Sequence, residues 1–377
     1  MKKIAFDTSF LCLLMVAFAF QTPITIAASY IIALVYIINE RKYISINKVD
    51  ALVFSGAALI CLPAAASLNH GIAPIFYLAV APIIFIAAQQ LSKKDHGHIL
   101  LCLKYFYWIF VFAIAIGLAA HWGDPEPFEL MIPGAGGNGL PSYLIVVQIG
   151  YSLTSYLKFN RLPIASSIAT LLVAFFGLGR GSILIGALIL IFSIFVNAST
   201  SKSDRKITIR FVGIIALLLS VYLYSNYEKI GSALELLIEQ SKFSQGVFDE
   251  SRGQIIADYM NKINEWTLIF GASYDNTSIA HYFDGNPHNS FIRVHSFYGV
   301  AGLIFVLTTP IFIAISNRLV TQKIVAICLI FFAWIRATTE PIFFPSTLDF
   351  FYLFYFFIFF RFAQQKQKQL RIACLQN

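Results

Sequence analysis

The sequence predicts an all-α fold: a polytopic membrane protein of about twelve transmembrane helices, with one long external loop that contains short amphipathic helices. Three observations carry this. Hydrophobic residues make up 58% of the 377 and charged residues 12%, against about 25% charged in an ordinary soluble domain. The apolar residues gather into runs of roughly 16–24, the length a helix needs to cross a ~30 Å hydrocarbon core. The runs do not alternate apolar and polar residues, as the strands of a membrane barrel must.

In chain order the runs lie at about 8–20, 23–39, 51–67, 72–89, 99–120, 139–157, 162–179, 181–197, 207–225, 289–316, 323–339 and 346–361. Runs one to nine therefore occupy 1–225, a polar loop 226–288, runs ten to twelve 289–363, and a basic tail 364–377. Residues 1–20 share features with a cleavable signal peptide: Lys2 and Lys3, an apolar stretch, and Ala17-Phe18-Ala19. Asp7 breaks the start and no soluble region follows, so this run is expected to stay as a span. Pro63, Pro82, Pro141 and Pro310 fall inside runs as ordinary kinks. Gly134, Gly136, Gly137 and Gly139 around Asn138 are expected to form a plain connector. The last run, Phe350–Phe362, is dense in Phe and Tyr and is expected to face lipid.

The net charge of +8 would suit nucleic acid or another anionic partner, but its distribution points elsewhere. With the N-terminus inside, 19 of the 27 Lys and Arg fall on inside loops and ends, from Lys2 and Lys3 through Arg41, Lys42, Lys93, Lys94, Lys158 and Arg161 to Arg361 and Lys366. The opposite short loops are nearly bare. This positive-inside pattern places both termini in the cytoplasm and 226–288 outside, and no nucleic acid partner is expected. Cys12, Cys61, Cys102, Cys328 and Cys374 lie in runs or in the tail, so the external loops carry no disulfide framework and no paired-cysteine metal motif.

The remaining Lys and Arg include Arg180, Arg252, Arg293 and Arg336. Arg180 sits in Gly177-Leu178-Gly179-Arg180-Gly181-Ser182 between two runs, where flanking glycines would let the backbone approach a ligand closely. A snorkelling interface residue is the plainer reading. Arg336 near the end of a run is costly unless paired, and Glu340, one turn on, is a natural partner. Ser251-Arg252-Gly253-Gln254 matches a capping box, and apolar residues from Ile255 to Trp266 recur at helical spacing up to Gly271. An amphipathic helix over about 252–270 is expected on the membrane surface or the bundle, with Arg252 beside the free amides of its first turn, an anion site. A second helix is expected over 229–241.

Asn286-Pro287-His288-Asn289-Ser290 closes the long polar segment. Asn286 as cap and Pro287 at the first helical position would put His288 in the first turn of a span. There the dipole disfavours imidazolium, leaving a neutral ring able to accept a proton. His281 and His295 compete for this role. Arg293, Asn289, Arg336 and Glu340 complete the set of candidates.

These residues resemble the signature of the O-antigen ligase and O-antigen polymerase superfamily. The resemblance rests on Gly179-Arg180-Gly181-Ser182 opening a span, Glu250-Ser251-Arg252 before a helix ending Ile269-Phe270-Gly271, and Pro287-His288-Asn289-Ser290-Phe291 followed by Tyr298-Gly299-Val300-Ala301-Gly302-Leu303. It covers about 170–305, and beyond that only the topology agrees. It implies a bacterial inner-membrane glycosyltransferase acting on the periplasmic face without metal or cofactor. The donor would be an undecaprenyl-pyrophosphate-linked oligosaccharide, and membrane lipid would surround the site. Arg180 and Arg252 would bind the pyrophosphate, and His288 would be the base for an acceptor glycan hydroxyl. The acceptor is a second lipid-linked repeat in a polymerase and lipid A–core in a ligase; Asn-Pro-His-Asn-Ser leans to the polymerase. Transfer onto a protein hydroxyl is a third option, and a chain-length regulator is the protein partner the resemblance allows.

Two readings of other kinds remain. A metal-dependent transferase could use Asp124, Glu126 and Glu129 in the loop 121–138, though turn-forming prolines make a solvated loop the plainer reading. A transporter or flippase would be expected to show internal repeats and charges near the midplane; half-to-half similarity is not evident here.

Overall fold

The computed structural model describes residues 2–44, 48–67, 69–124, 127–133, 136–200, 250–283, 285–315 and 320–376. Among them every regular element is helical: α1 (Lys2–Ala19), α2 (Pro23–Asn39), α3 (Lys48–Ala65), α4 (Ala73–Ser92), α5 (His96–Ala120), α6 (Pro127–Met131), α7 (Gly136–Phe159), α8 (Ile164–Phe176), α9 (Arg180–Thr200), α10 (Glu250–Met260), α11 (Glu265–Phe270), α12 (Ser278–Tyr282), α13 (Ser290–Ile315), α14 (Val320–Ala337) and α15 (Asp349–Gln376), with one 3₁₀ turn at Arg41–Tyr43. The predicted runs in the described residues all fold as helices. The run 207–225 and the helix expected at 229–241 lie outside them. Four described helices, α4, α5, α9 and α13, are long and apolar enough to cross a membrane.

Two helices make the centre. Every residue of α7 from Gly139 to Leu157 is buried, the mark of a helix enclosed on all sides. Beside it runs α15, whose Phe350, Phe351, Phe354, Tyr355, Ile358 and Phe359 are fully buried and which packs on α4, α7 and α13. The expectation that this aromatic run faces lipid is therefore corrected. Its rings interlock with other rings (Phe10–Phe350 edge to face at 5.5 Å, Phe106–Phe351 stacked at 6.1 Å), and such pairs gain more than the same rings do against acyl chains. The Tyr355 hydroxyl donates to Val146 O, and Gly150 leaves room for the Tyr355 ring, which would stand 3.2 Å from a Cβ there.

At one end of the bundle Asp7 is fully buried and holds α1 in place. Lys94 Nζ reaches Asp7 Oδ1 at 2.5 Å and Glu40 Oε1 at 3.2 Å. His98 Nε2 meets the other Asp7 oxygen. Arg361 of α15 donates to the Lys94 carbonyl (3.1 Å). The residue that breaks the first apolar run thus joins four segments, because a buried carboxylate must find cations.

At the other end the described residues from 250 to 289 pack on the bundle. The helix expected over 252–270 is two helices. Asn264 interrupts it, its Oδ1 accepting from the Trp266 and Thr267 amides (both 3.0 Å), while Thr267 Oγ1 accepts from the Asn264 amide (2.7 Å). That reciprocal box outweighs the continuous apolar spacing. The expected Gly271 cap is present, at φ 84°. It packs so closely on α13 that a Cβ would stand 2.3 Å from the Ser296 carbonyl oxygen. Gly299 breaks α13 at φ 62°, ψ −160°, and a Cβ there would lie 1.7 Å from Ile269 O. Two glycines therefore let α11 and α13 touch backbone to backbone. Asn69, between α3 and α4, donates to Gly271 O (3.2 Å). His70 beside it reaches Ser296 Oγ.

Gly299→Ala should cost at least the ~1–3 kcal/mol of an unfavourable backbone conformation, and more once α11 is pushed away. Thermal denaturation in detergent, together with faster protease cleavage between 261 and 283, would register it; wild-type behaviour on both counts would refute the close contact.

Candidate active site

The site forms where the first turns of α7, α9 and α10 meet the start of α13 and the link 338–348 between α14 and α15. Its centre is Glu340. One carboxylate oxygen, Oε1, lies 3.3 Å from Arg252 Nη2 and 3.5 Å from Arg336 Nη2. The other, Oε2, lies 3.8 Å from His288 Nδ1. Burial alone would raise the Glu340 pKa. The nearby His288 ring and the guanidiniums of Arg336 and Arg252 outweigh it, and the carboxyl is held below the usual 4.5.

Exposure separates the three partners. The Arg336 side chain is 0% exposed, Arg252 26% and His288 29%. Arg336 is spent on the fold: Nε donates to Ser142 Oγ (2.9 Å), Nη1 to Thr339 Oγ1 (2.6 Å) and Nη2 to Asn138 O (3.2 Å). Its pair with Glu340 one turn on is the one the spacing predicts. Arg252 and His288 are partly exposed. Arg293 is also structural, its Nη2 donating to Pro341 O (2.6 Å) and Phe343 O (2.9 Å). Those bonds, and Ser290 Oγ donating to Glu340 O (2.9 Å) while accepting from the Phe343 amide (3.1 Å), fix the link 338–348 to α13.

His288 is not in the first turn of α13. The cap is Asn289, whose Oδ1 accepts from the Phe291 and Ile292 amides (2.8 and 3.1 Å), and the helix begins at Ser290. His288 stands just before the cap in the left-handed region, φ 45°. Asn286 serves there instead of capping: its Oδ1 accepts from the His288 amide (2.9 Å). A non-glycine residue in this region costs of order 1–3 kcal/mol and persists where its surroundings impose it, which is common at functional sites. Phe283 packs edge-on to the ring at 5.4 Å. The competing histidines are placed otherwise. His295 is buried with both nitrogens engaged, accepting at Nδ1 from Tyr259 OH (2.8 Å) and donating at Nε2 to Leu268 O (3.0 Å). His281 is exposed at the end of α12.

Arg180 opens α9, and its neighbour Gly181 lies against the site: a Cβ there would come within 2.9 Å of Arg336 Nη1 and 3.3 Å of Thr339 Oγ1. A Cβ on Gly179 would collide with Asn138 Oδ1. These glycines thus admit Arg336 and Asn138 of this chain, in place of the ligand approach expected of them. The sequence-predicted Arg252, His288, Arg336 and Glu340 are brought together, and Arg180 is next in sequence to Gly181, which lies against Arg336. Asn138 and Ser142 were missed, because the glycines around Asn138 mask the start of α7 as a connector. Of the carboxylates considered for a metal, Asp124 lies 3.3 Å from His121 Nδ1, and Glu126 lies outside the described residues.

Residues of α2, α3, α4, α13 and α15 line a partly open, largely apolar cavity whose walls include Tyr30, Cys61, Tyr77, Tyr298 and Asp349. Phe344, Pro345 and Ser346 also line it, so the link that carries Glu340 borders the cavity.

Glu340→Gln should cost about 3–5 kcal/mol, since it leaves Arg336 buried beside a neutral group. The pH dependence has a definite sign. The folded-state pKa is depressed, so the stabilisation by Glu340 is complete above 4.5 and is lost as pH falls through the lower folded value. Melting curves in detergent should show the wild type losing stability over that acid range more steeply than the Gln variant; parallel curves would refute the pairing.

Comparison with family models, with curated proteins and with solved structures finds no match to this chain.

Proposed function

We propose that the chain is a bacterial inner-membrane glycosyltransferase that joins undecaprenyl-pyrophosphate-linked oligosaccharide repeats on the periplasmic face, as an O-antigen, capsule or exopolysaccharide polymerase. Under this reading about twelve helices span the membrane, both termini are cytoplasmic, and 226–288 is periplasmic. The observation that supports it most is the convergence of Arg252, His288 and Glu340, with Arg180 one residue from the Arg336 pocket. Two half-open groups, a guanidinium and an imidazole, share one carboxylate at the end of an apolar bundle.

The chemistry follows from those groups. Arg180 and Arg252 bind the pyrophosphate of the donor through paired N–H groups and neutralise it, so that it leaves without a metal. Glu340 holds His288 through Nδ1, which leaves Nε2 as the base. The 3.8 Å separation shortens when substrate closes the site, as catalytic hydrogen bonds do. An acceptor hydroxyl attacks the anomeric carbon from the face opposite the pyrophosphate. The new C–O bond forms as the old one breaks, the hydroxyl proton passes to His288, undecaprenyl pyrophosphate departs, and the anomeric centre inverts. The cavity beside Phe344 and Pro345 suits part of a prenyl chain. A ligase would use the same groups with lipid A–core as acceptor.

Complementation separates the two. A polymerase restores long polymer to a polymerase-deletion strain that otherwise carries a single repeat on core; a ligase rescues only a strain that accumulates lipid-linked polymer and bare core. Rescue of neither would overturn the assignment. In the rescued strain, His288→Ala should lower activity ~10²–10⁴-fold, the worth of a general base; full activity would remove His288 from that role. Arg180→Lys and Arg252→Lys should each cost about 10–100-fold, the worth of a charge-assisted hydrogen bond. Wild-type rates in both would sink the pyrophosphate site.

A further inference from the structure

We infer that α11 is a membrane-interface anchor, seated at the headgroup–acyl boundary through Trp266, Leu268 and Ile269. The inference concerns bilayer contact and does not depend on the glycan chemistry. All three side chains are exposed, Trp266 at 73%. What covers them follows from depth. A ~30 Å core takes about 20 helical residues; the part of α13 beyond the Gly299 break, 300–315, covers about 24 Å of it at ~1.5 Å per residue, which puts Gly299 and Ser296 near one end of the core. Ser296 is where the α11 segment docks: its hydroxyl donates to Ala272 O and meets His70 from the α3–α4 connection. The Ile269 carbonyl oxygen lies against Gly299, three residues deeper. The connection between two apolar helices and the first turns of a third therefore fix α11 at the same level, near the end of the hydrocarbon core.

The sides of α11 agree with that depth. It packs between α3 and α13. Leu59 and Ile60 on α3, and Ile304 and Phe305 on α13, are likewise exposed, so the apolar surface of α11 continues that of its neighbours. Trp is the residue most suited to this level, with an apolar ring system and one N–H donor. Asn264 and Glu265 at the start of α11 are exposed and polar, as the water side requires. Because α10 and α11 are separated by only four residues, anchoring α11 also sets the height at which Arg252 meets a lipid-borne pyrophosphate.

The test uses the full chain reconstituted into phospholipid vesicles. Wild type is compared with Trp266→Phe, so that the difference isolates Trp266 from Trp108, Trp122 and Trp334. Brominated phospholipids, with the bromines either near the glycerol or deep in the chain, quench from within the membrane; aqueous iodide quenches from outside. The Trp266 component should be quenched most by shallow bromines, be spared by iodide, and be unchanged on dilution with lipid. Quenching by iodide alone would overturn the proposal, placing the surface in water or against a glycan. A Trp266 signal that changes with protein-to-lipid ratio would also overturn it, assigning the face to a second copy. Trp266→Tyr provides the same difference if the Phe variant does not reconstitute.

Discussion

A buried guanidinium cannot be left without acceptors, and much of the site end of this protein is arranged around one. Arg336 lies wholly inside the bundle. To satisfy it, α7 offers Ser142 and the Asn138 carbonyl, and the link beyond α14 offers Thr339 and Glu340. α9 must come close without obstruction, which it does at Gly181. Glu340, drawn to Arg336, is then fixed where Arg252 and His288 can reach it. The charge least available to a ligand sets the position of those most available.

The second organising constraint is steric. Helices usually keep 8–10 Å between their axes because side chains stand between them. At Gly271 and Gly299 side chains are absent and carbonyl oxygens occupy the space. Such contact holds α11 against α13 without a large apolar interface. α10 and α11 need this, because one face of each is left exposed.

The helices were legible in the sequence because apolar length is a strong and local signal, and the boundaries of α2 and α5 fall within a few residues of their runs. The charged candidates were legible for a related reason: a charge inside so apolar a chain stands out, and the Arg336–Glu340 spacing identifies its own partner. Three things were not. Hydropathy treats a buried helix and a lipid-facing one alike, so the central place of α15 was hidden. Cap choice depends on which of several Asn residues finds amides to accept from: Asn289 displaced the expected Asn286, and Asn264 opens a second helix that the continuous spacing hid. The glycines beside Arg180 advertise close approach but not what approaches.

The Asp7 cluster has a consequence in time. The carboxylate of Asp7 meets Lys94 and His98, which follow it by 87 and 91 residues. At about 5–20 residues per second of synthesis, the first helix waits roughly 5–20 s for the cations that neutralise it. Until then Asp7 lacks the cations it meets in the folded chain, and α1 cannot take its final place. The first helix is therefore completed only after the fifth has begun, and the order of synthesis is not the order of assembly.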